Sequence, residues 1–582
     1  MKPESLAVRS INQYRRRDVL AYLGLRYYLE NDCAKADIWA RDISDHLVRT
    51  QESPIYHLSY HFKEIEENEG VIYRNIYLPS PNEIFAESAL LYDCSRQKAF
   101  QSLDCVYSYQ FSDPSSKEGS FKNYFPRFQQ RNNSIAKACY DLNSTDTTIL
   151  YTDIKKFYPS IRYELALESW NDTCKESNIS HQSRELGERL LAKYSEISKT
   201  HNEGKGVLTG PMFSHLIANL ILFKVDQQMS KYTEKKYWRY VDDFVLIGTS
   251  NQIKENRQTL MSILDDMGFL LHDERKDFEV NSASWIETVK NADSSKNKIW
   301  TNLIANIKRF LTTKPKETIA LKYAFAEQGI NIPLLDYSSA VLESSFLENF
   351  SNLIDRYSWF SNSVNGLTIN RLVKDALKAR KIYHEEMNIL LNKNSNIEGY
   401  ERKQLISKLR FYAMRLSCLA TPDTLMSISS SLARYPELYL QARVMNAICS
   451  KDVTALIKLG SNAVQAAAQI LRIQITEVTC SLRSFGEVEL QGLAILRLNG
   501  ISVKFSENFD TQTVIEDPLN QFALGTNPAA LMKSSDLFIK EIACLRGIEE
   551  ISKHQYFLDS AFDKDEQLSF DIIDQLQTSS YF

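Results

Sequence analysis

Apolar side chains recur at spacings of three and four over 18–30, 37–48 and 82–100, which predicts amphipathic helices there and a mainly helical stretch from residue 5 to 145. The pattern then changes. Residues 147–154, TTILYTDI, are β-branched and apolar with an acid near the end, the pattern of a strand; a proline turn and a helix from about Tyr163 follow. Helices are predicted over 182–199 and 211–231, the second entered through Gly210-Pro211. Two short apolar runs, 236–241 and 244–248, meet at Asp242-Asp243 with room only for a tight turn, which predicts a β-hairpin with acids at its tip. From about residue 300 helical patterns succeed one another, and 452–475 looks like a helix–turn–helix unit of an α-solenoid, although no strict repeat period is present.

A chain of 582 residues is long enough for several domains. With only 18 Gly and 14 Pro it leans further toward helix. A net charge of −4, with 24% charged and 43% hydrophobic residues, excludes a disordered or supercharged binder, so any grip on nucleic acid has to come from a local groove. Nine scattered cysteines without a C-x-x-C pair suggest neither a disulfide framework nor a zinc site, and read as small buried hydrophobes of a reducing compartment. The N-terminus lacks the apolar core of a signal peptide and no apolar run is long enough to span a bilayer, so a cytoplasmic location without membrane contact is expected.

Three segments carry the chemistry together: Tyr151-Thr-Asp153-Ile154-Lys-Lys-Phe157-Tyr158, Gly206-Val-Leu-Thr-Gly210-Pro-Met-Phe-Ser214-His-Leu-Ile-Ala-Asn219, and Tyr240-Val-Asp242-Asp243. Phosphoryl transfer to a hydroxyl uses two divalent ions about 3.5–4 Å apart, one activating the attacking oxygen and one neutralising the leaving pyrophosphate. Mg²⁺ takes hard oxygen ligands. Asp153 at a strand end and Asp242 at a hairpin tip stand 89 positions apart in sequence, so the strand and the hairpin must be neighbours in space. Upstream, Lys122, Arg127 and Arg131 alternate with aromatics in FKNYFPRFQQR, a composition suited to gripping a triphosphate and stacking bases, or to an amphipathic surface.

These segments resemble motifs A, B and C of reverse transcriptases, and LLHDERKDF over 270–278 resembles the motif D that follows. The resemblance implies an α+β right-hand polymerase with fingers and palm over 1–290, then an all-α, HEAT-like helical repeat domain over 291–582 in place of a thumb. It implies dNTP as substrate and Mg²⁺, or alternatively Mn²⁺, at Asp153, Ile154, Asp242 and Asp243. Tyr158 matches the aromatic gate that favours deoxynucleotides, whereas Phe157 reads as core. Gly206 and Gly210 would let backbone approach the nascent base pair. Ser214 and Asn219 would face the site from the next helix, Asn219 serving equally well as a packing residue. Lys276 matches a general acid to pyrophosphate, with a solvated charge as the plain alternative.

Departures narrow the family. Leu208 and Thr209 stand where motif B carries proline and, in template-reading viral enzymes, Gln. No nuclease-type acidic cluster is present, and about 300 helical residues replace a short thumb. The chain thus resembles bacterial abortive-infection (AbiK-like, "unknown group") defence reverse transcriptases. That resemblance implies anti-phage function, trimers or hexamers, and DNA synthesis that can be untemplated and primed from a tyrosine, leaving product covalently attached. Tyr14, Tyr27, Tyr28 and Tyr581 lie near the termini. Two alternatives stay open. One is an enzyme templated by a noncoding RNA, held through Arg15–Arg17 and Lys235, Lys236 and Arg239. The other is a non-catalytic or toxin-like defence scaffold, although the spacings of Arg380 to His384 and Arg546 to His554 do not fit an HEPN-type ribonuclease.

Overall fold

The stretch from 56 to 79, expected to be helical, is a β-hairpin. Strands β1 (Tyr56–Ile65) and β2 (Val71–Pro79) pair antiparallel, with a register shift between Phe62 and Glu64. Tyr, His, Ser and Phe dominate β1, and aromatic and β-branched side chains favour a pleated, half-buried surface over a helix. The computed structural model describes residues 56–525 apart from 66–69, 80, 114–118, 123, 143–145, 201–205, 273–276, 293–294, 333, 335–365, 393–396, 475–476 and 507–517. The helices expected over 18–30 and 37–48, together with Tyr14, Arg15–Arg17, Tyr27, Tyr28, Lys276, Arg546, His554 and Tyr581, lie outside the described residues.

Helices α1 (Pro81–Ser95) and α2 (Tyr124–Leu142) lead into β3 (Thr148–Asp153). After a one-turn helix at Phe157–Ser160 come α3 (Tyr163–Lys175), α4 (His181–Thr200) and α5 (Met212–Tyr232), then β4 (Tyr237–Tyr240), β5 (Asp243–Gly248), α6 (Ser250–Asp266), β6 (Phe278–Asn281) and α7 (Ser282–Ala292). The four strands form one antiparallel sheet in the order β4-β5-β3-β6. Alternation divides it between two cores. Leu150, Tyr237, Phe244 and Leu246 face the cluster built on α3, α4 and α5, while Ile149, Trp238, Val245, Ile247 and Val280 face Ile135, Ala136 and Cys139 of α2 and Trp285 of α7. Helix α5 is buried all round over Met212–Asn219, which explains why that part of its sequence has no clean stripe, while Lys224, Gln227, Gln228 and Lys231 face solvent further on.

The rest is helix-rich: α8 (Ser295–Thr313), α9 (Thr318–Glu327), α10 (Ile369–Leu391), α11 (Gly399–Leu419), α12 (Pro422–Leu432), α13 (Tyr439–Ser450), α14 (Ser461–Gln474), α15 (Glu487–Leu498) and α16 (Pro518–Leu524). The solenoid-like segment 452–475 is only half helical, since a single 3₁₀ turn at Ile457–Leu459 precedes α14. A short parallel pair, β7 (Glu477–Cys480) and β8 (Ser502–Phe505), interrupts the helices. Ile76 and Leu78 of β2 belong to the core of this helical region, whereas Tyr77 between them belongs to the core under the four-stranded sheet. Side-chain bonds reinforce the junction: Ser59 Oγ lies 2.5 Å from Ser461 Oγ, Gln491 Nε2 donates to the Leu58 carbonyl at 2.7 Å, and the Phe62 amide donates to Asn462 Oδ1 at 3.0 Å.

Candidate active site

Two local features bring the acids together. In the β3–β5 ladder Asp153 is directly opposite Asp243, and residues so paired have Cα atoms about 4.5–5.5 Å apart. In the β4–β5 hairpin Tyr240 pairs with Asp243, which leaves Val241 and Asp242 as the turn. The end of β3 is pinned from both sides: the Ile154 amide donates to the Asp242 carbonyl at 3.3 Å and the His272 amide to the Asp153 carbonyl at 3.0 Å. His272 also sets Nε2 3.7 Å from Asp153 Oδ2.

The turn is strained and held from behind. Val241 has φ of 58°, a left-handed conformation costly for a β-branched residue. Its amide donates to Ser108 Oγ at 2.7 Å and its carbonyl accepts from Arg239 Nη1 at 2.8 Å. Arg239 in turn is locked to Asp226 of α5 at 2.6 Å, both side chains 1% exposed, and Tyr237 Oη donates to the same carboxylate at 2.7 Å. Burial opposes the guanidinium charge, but Asp226 keeps it above its ordinary value. Arg239 is therefore the brace of the acidic hairpin and not the surface RNA handle that Lys235-Lys236-x-x-Arg239 suggested. Its burial corrects that expectation. Asn219 belongs to the same brace: it accepts from Arg239 Nη1 at 3.1 Å and donates to the Ser108 carbonyl at 3.2 Å.

Charge accumulates at the sheet end. Burial, then Asp243 and Asp153, push the Asp242 carboxyl up to about 7, with Arg74 of β2 acting in the opposite direction. Tyr151, two residues before Asp153 on the same face, is held neutral first by burial and then by the Asp243 charge. Among the described residues no group of three or more His, Cys, Asp or Glu side chains is assembled so as to hold a metal ion. The donor chemistry suits Mg²⁺ held by one or two carboxylates and completed by water and nucleotide phosphates. Ile154 could contribute only its carbonyl oxygen.

The residues expected on the nucleotide side are placed unevenly. Tyr158 is half-buried and its hydroxyl hydrogen-bonds His215 Nδ1. The His215 ring stacks on Tyr109 with centroids 3.8 Å apart. Phe157 is core, 2% exposed. Ser214 is fully buried and its hydroxyl has no partner. Lys122 is exposed. Arg127 bonds Gln110 and Gln130 and lies over the Tyr107 ring. Arg131 is 1% exposed, its guanidinium 4.5 Å from the Phe128 centroid and 5.6 Å from those of Tyr151 and Tyr240.

Both glycines of the second motif admit protein backbone. A Cβ on Gly206 would sit 2.4 Å from the Tyr158 carbonyl oxygen, and one on Gly210, where φ is 129°, would sit 2.3 Å from the Tyr77 carbonyl oxygen. Gly210→Ala is expected to destabilise the protein by about 2–4 kcal/mol, through positive φ and the clash together, which thermal unfolding of the purified variant would read as a lowered midpoint.

Sequence reasoning missed His215, His272, Arg74 and the Asp226 partner of Arg239. Only Asp226 left a signal, as the lone acid within the apolar Leu216–Met229 run.

Residues 98–290 match the family model "Reverse transcriptase (RNA-dependent DNA polymerase)", so a reverse transcriptase domain occupies that third of the chain and contains the strand, the hairpin and all three aspartates. No curated protein matches the chain. Among solved structures, a telomerase from Candida albicans in complex with a TWJ fragment of telomeric RNA is similar at 10% identity, with a TM-score of 0.28 over 68% of this chain and 65% of that one. The chain thus spans less than two thirds of that structure, and the likeness carries no argument about function. No described helix is long and apolar enough to cross a membrane.

Proposed function

We propose that the chain is a DNA polymerase of the nucleotidyltransferase type that joins dNTPs at Asp153, Asp242 and Asp243. The observation that carries this reading is the ladder that sets Asp153 against Asp243 with Asp242 in the adjoining turn. Asp153, Asp242 and the Ile154 carbonyl would hold Mg²⁺ or Mn²⁺, with Asp243 beside them; when bound, the ions acidify the attacking hydroxyl and neutralise the triphosphate. Tyr158, fixed by His215, closes the ribose side of the pocket. Lys276 is the proposed proton donor to pyrophosphate. Lys122, Arg127 and Arg131 are the proposed triphosphate and base contacts, with Arg131 reaching them only if the aromatic cover over it opens.

The biological setting we propose is anti-phage defence of the abortive-infection type, with synthesis primed by a tyrosine hydroxyl of the protein itself, in a trimer or hexamer. A phenol can replace a 3′-hydroxyl once deprotonated beside the α-phosphate. The near-neutral net charge of −4 supports a covalently retained product, which needs less electrostatic grip than a free duplex. Incubation of the full chain with Mg²⁺ and labelled dNTPs, without primer or template, is expected to give polymer on the protein band that protease releases. Synthesis only on supplied RNA and primer would favour the noncoding-RNA alternative. No synthesis under either condition, once co-purifying RNA is excluded, would favour the scaffold.

A further inference from the structure

The helical region sends one cation into the polymerase centre. Helix α11 begins beside the sheet, and Tyr400, Lys403 and Gln404 share one face at spacings of three and four. Tyr400 stacks on Trp285 of α7 with centroids 5.9 Å apart, and Gln404 Nε2 donates to Thr288 Oγ1 of the same helix. Between these two anchors the Lys403 ammonium lies 4.1 Å from the Tyr151 ring centroid and 4.8 Å from that of Phe278. Desolvation, aided by Arg131, holds its pKa below the ordinary lysine value, while Asp243 and Asp153 act in the opposite direction. The residue as a whole is exposed.

We infer that Lys403 binds a phosphate of the strand being extended. Tyr151 precedes Asp153 by two residues on β3, about 7 Å back along the strand, and Phe278 pairs with Tyr151 from β6, the strand farthest from the acidic hairpin. Tyr158, the proposed gate of the nucleotide pocket, packs against the core on the α3–α5 side of the sheet, whereas Tyr151 packs against the core on the α2 side. A cation on the upstream side of the carboxylates meets the acceptor strand, not the incoming triphosphate. Because that strand carries one negative charge per nucleotide, a lysine docked by two contacts on α7 is suited to track its backbone.

The inference rests on the polymerase reading, but its test does not require turnover. Affinity of the full chain for a fluorescent single-stranded DNA oligonucleotide is measured at three salt concentrations with Mg²⁺ present, for wild type, Lys403→Gln and Lys403→Arg. Lys403→Gln is expected to weaken binding about 3–10-fold and to lower the log–log salt slope by about 0.7, the loss of one phosphate contact on a single strand, with Lys403→Arg restoring both. Unchanged affinity and slope in Lys403→Gln would overturn the assignment. In the incorporation assay the same variant is expected to shorten products with KM for dNTP unchanged; a raised KM for dNTP with normal product length would overturn the choice of strand over triphosphate. Failure of wild type to incorporate nucleotide would defeat the polymerase reading and leave the binding result to decide on Lys403.

Discussion

Asp242→Asn is expected to lower nucleotide incorporation about 10³-fold or more while making the metal-free protein more stable, and the two effects share one cause. The turn crowds Asp242 against Asp243 and Asp153 in a partly buried site, and its carboxyl rises from 3.8 to about 7. Between those values the folded chain holds a proton that the unfolded chain has released. Its stabilising contribution is therefore complete below about pH 4 and is lost as pH rises through 7. From pH 5 to pH 8 that loss amounts to about 2–3 kcal/mol. Thermal or denaturant unfolding across this range, in chelator, should show the decline in wild type and a flatter profile in Asp242→Asn. Adding Mg²⁺ should flatten the wild-type profile as well, because a bound cation replaces the proton. Asp153→Asn should abolish incorporation with a smaller change in the profile, since its effect on Asp242 ranks behind burial and Asp243. A pH profile in Asp242→Asn as steep as that of wild type would refute the assignment of the buried charge.

The second large effect concerns the brace. Asp226→Ala is expected to cost about 3–5 kcal/mol, because it leaves Arg239 charged and unpaired among apolar neighbours. Tyr237 Oη and two guanidinium nitrogens lose their acceptor in the same step. Arg239, which donates to the Val241 carbonyl, is then no longer held in place by Asp226, so incorporation should fall together with stability. With Asp226 in place, Arg239→Lys should also lower stability, since a point charge cannot occupy both Asp226 oxygens and also reach the Val241 carbonyl. Differential scanning calorimetry beside the incorporation assay reads both quantities. Loss of stability with normal turnover would show that the hairpin keeps its geometry without the brace.

The acids were legible in sequence because each sits at the end of a strongly β-patterned run, and a two-residue connection leaves a hairpin little choice. The brace was not, because Arg239 and Asp226 meet only after α5 folds across the back of the hairpin, and a lysine-rich neighbourhood made Arg239 look solvated. The first hairpin did leave a mark, since Tyr56, Leu58, Tyr60 and Phe62 alternate with polar residues at a two-residue spacing, but the run lies between stretches with helical spacing and reads with them. His215, which anchors the Tyr158 hydroxyl, left no mark because it is 57 positions away in an ordinary core helix. Lys403 had no local mark at all, since nothing in its own segment indicates that the helix is docked against Trp285 and Thr288.

Strand β2 has a structural role beyond displaying Arg74. Its consecutive residues Ile76, Tyr77 and Leu78 are divided between two cores, so a single extended ribbon serves as the party wall of both buildings. The halves are consequently not interchangeable cassettes. Grafting a foreign palm onto these helices would leave holes where Ile76 and Leu78 belong, and inserting one residue into the ribbon would swap which neighbour each side chain addresses. Lineages carrying this architecture should gain or lose the two parts together.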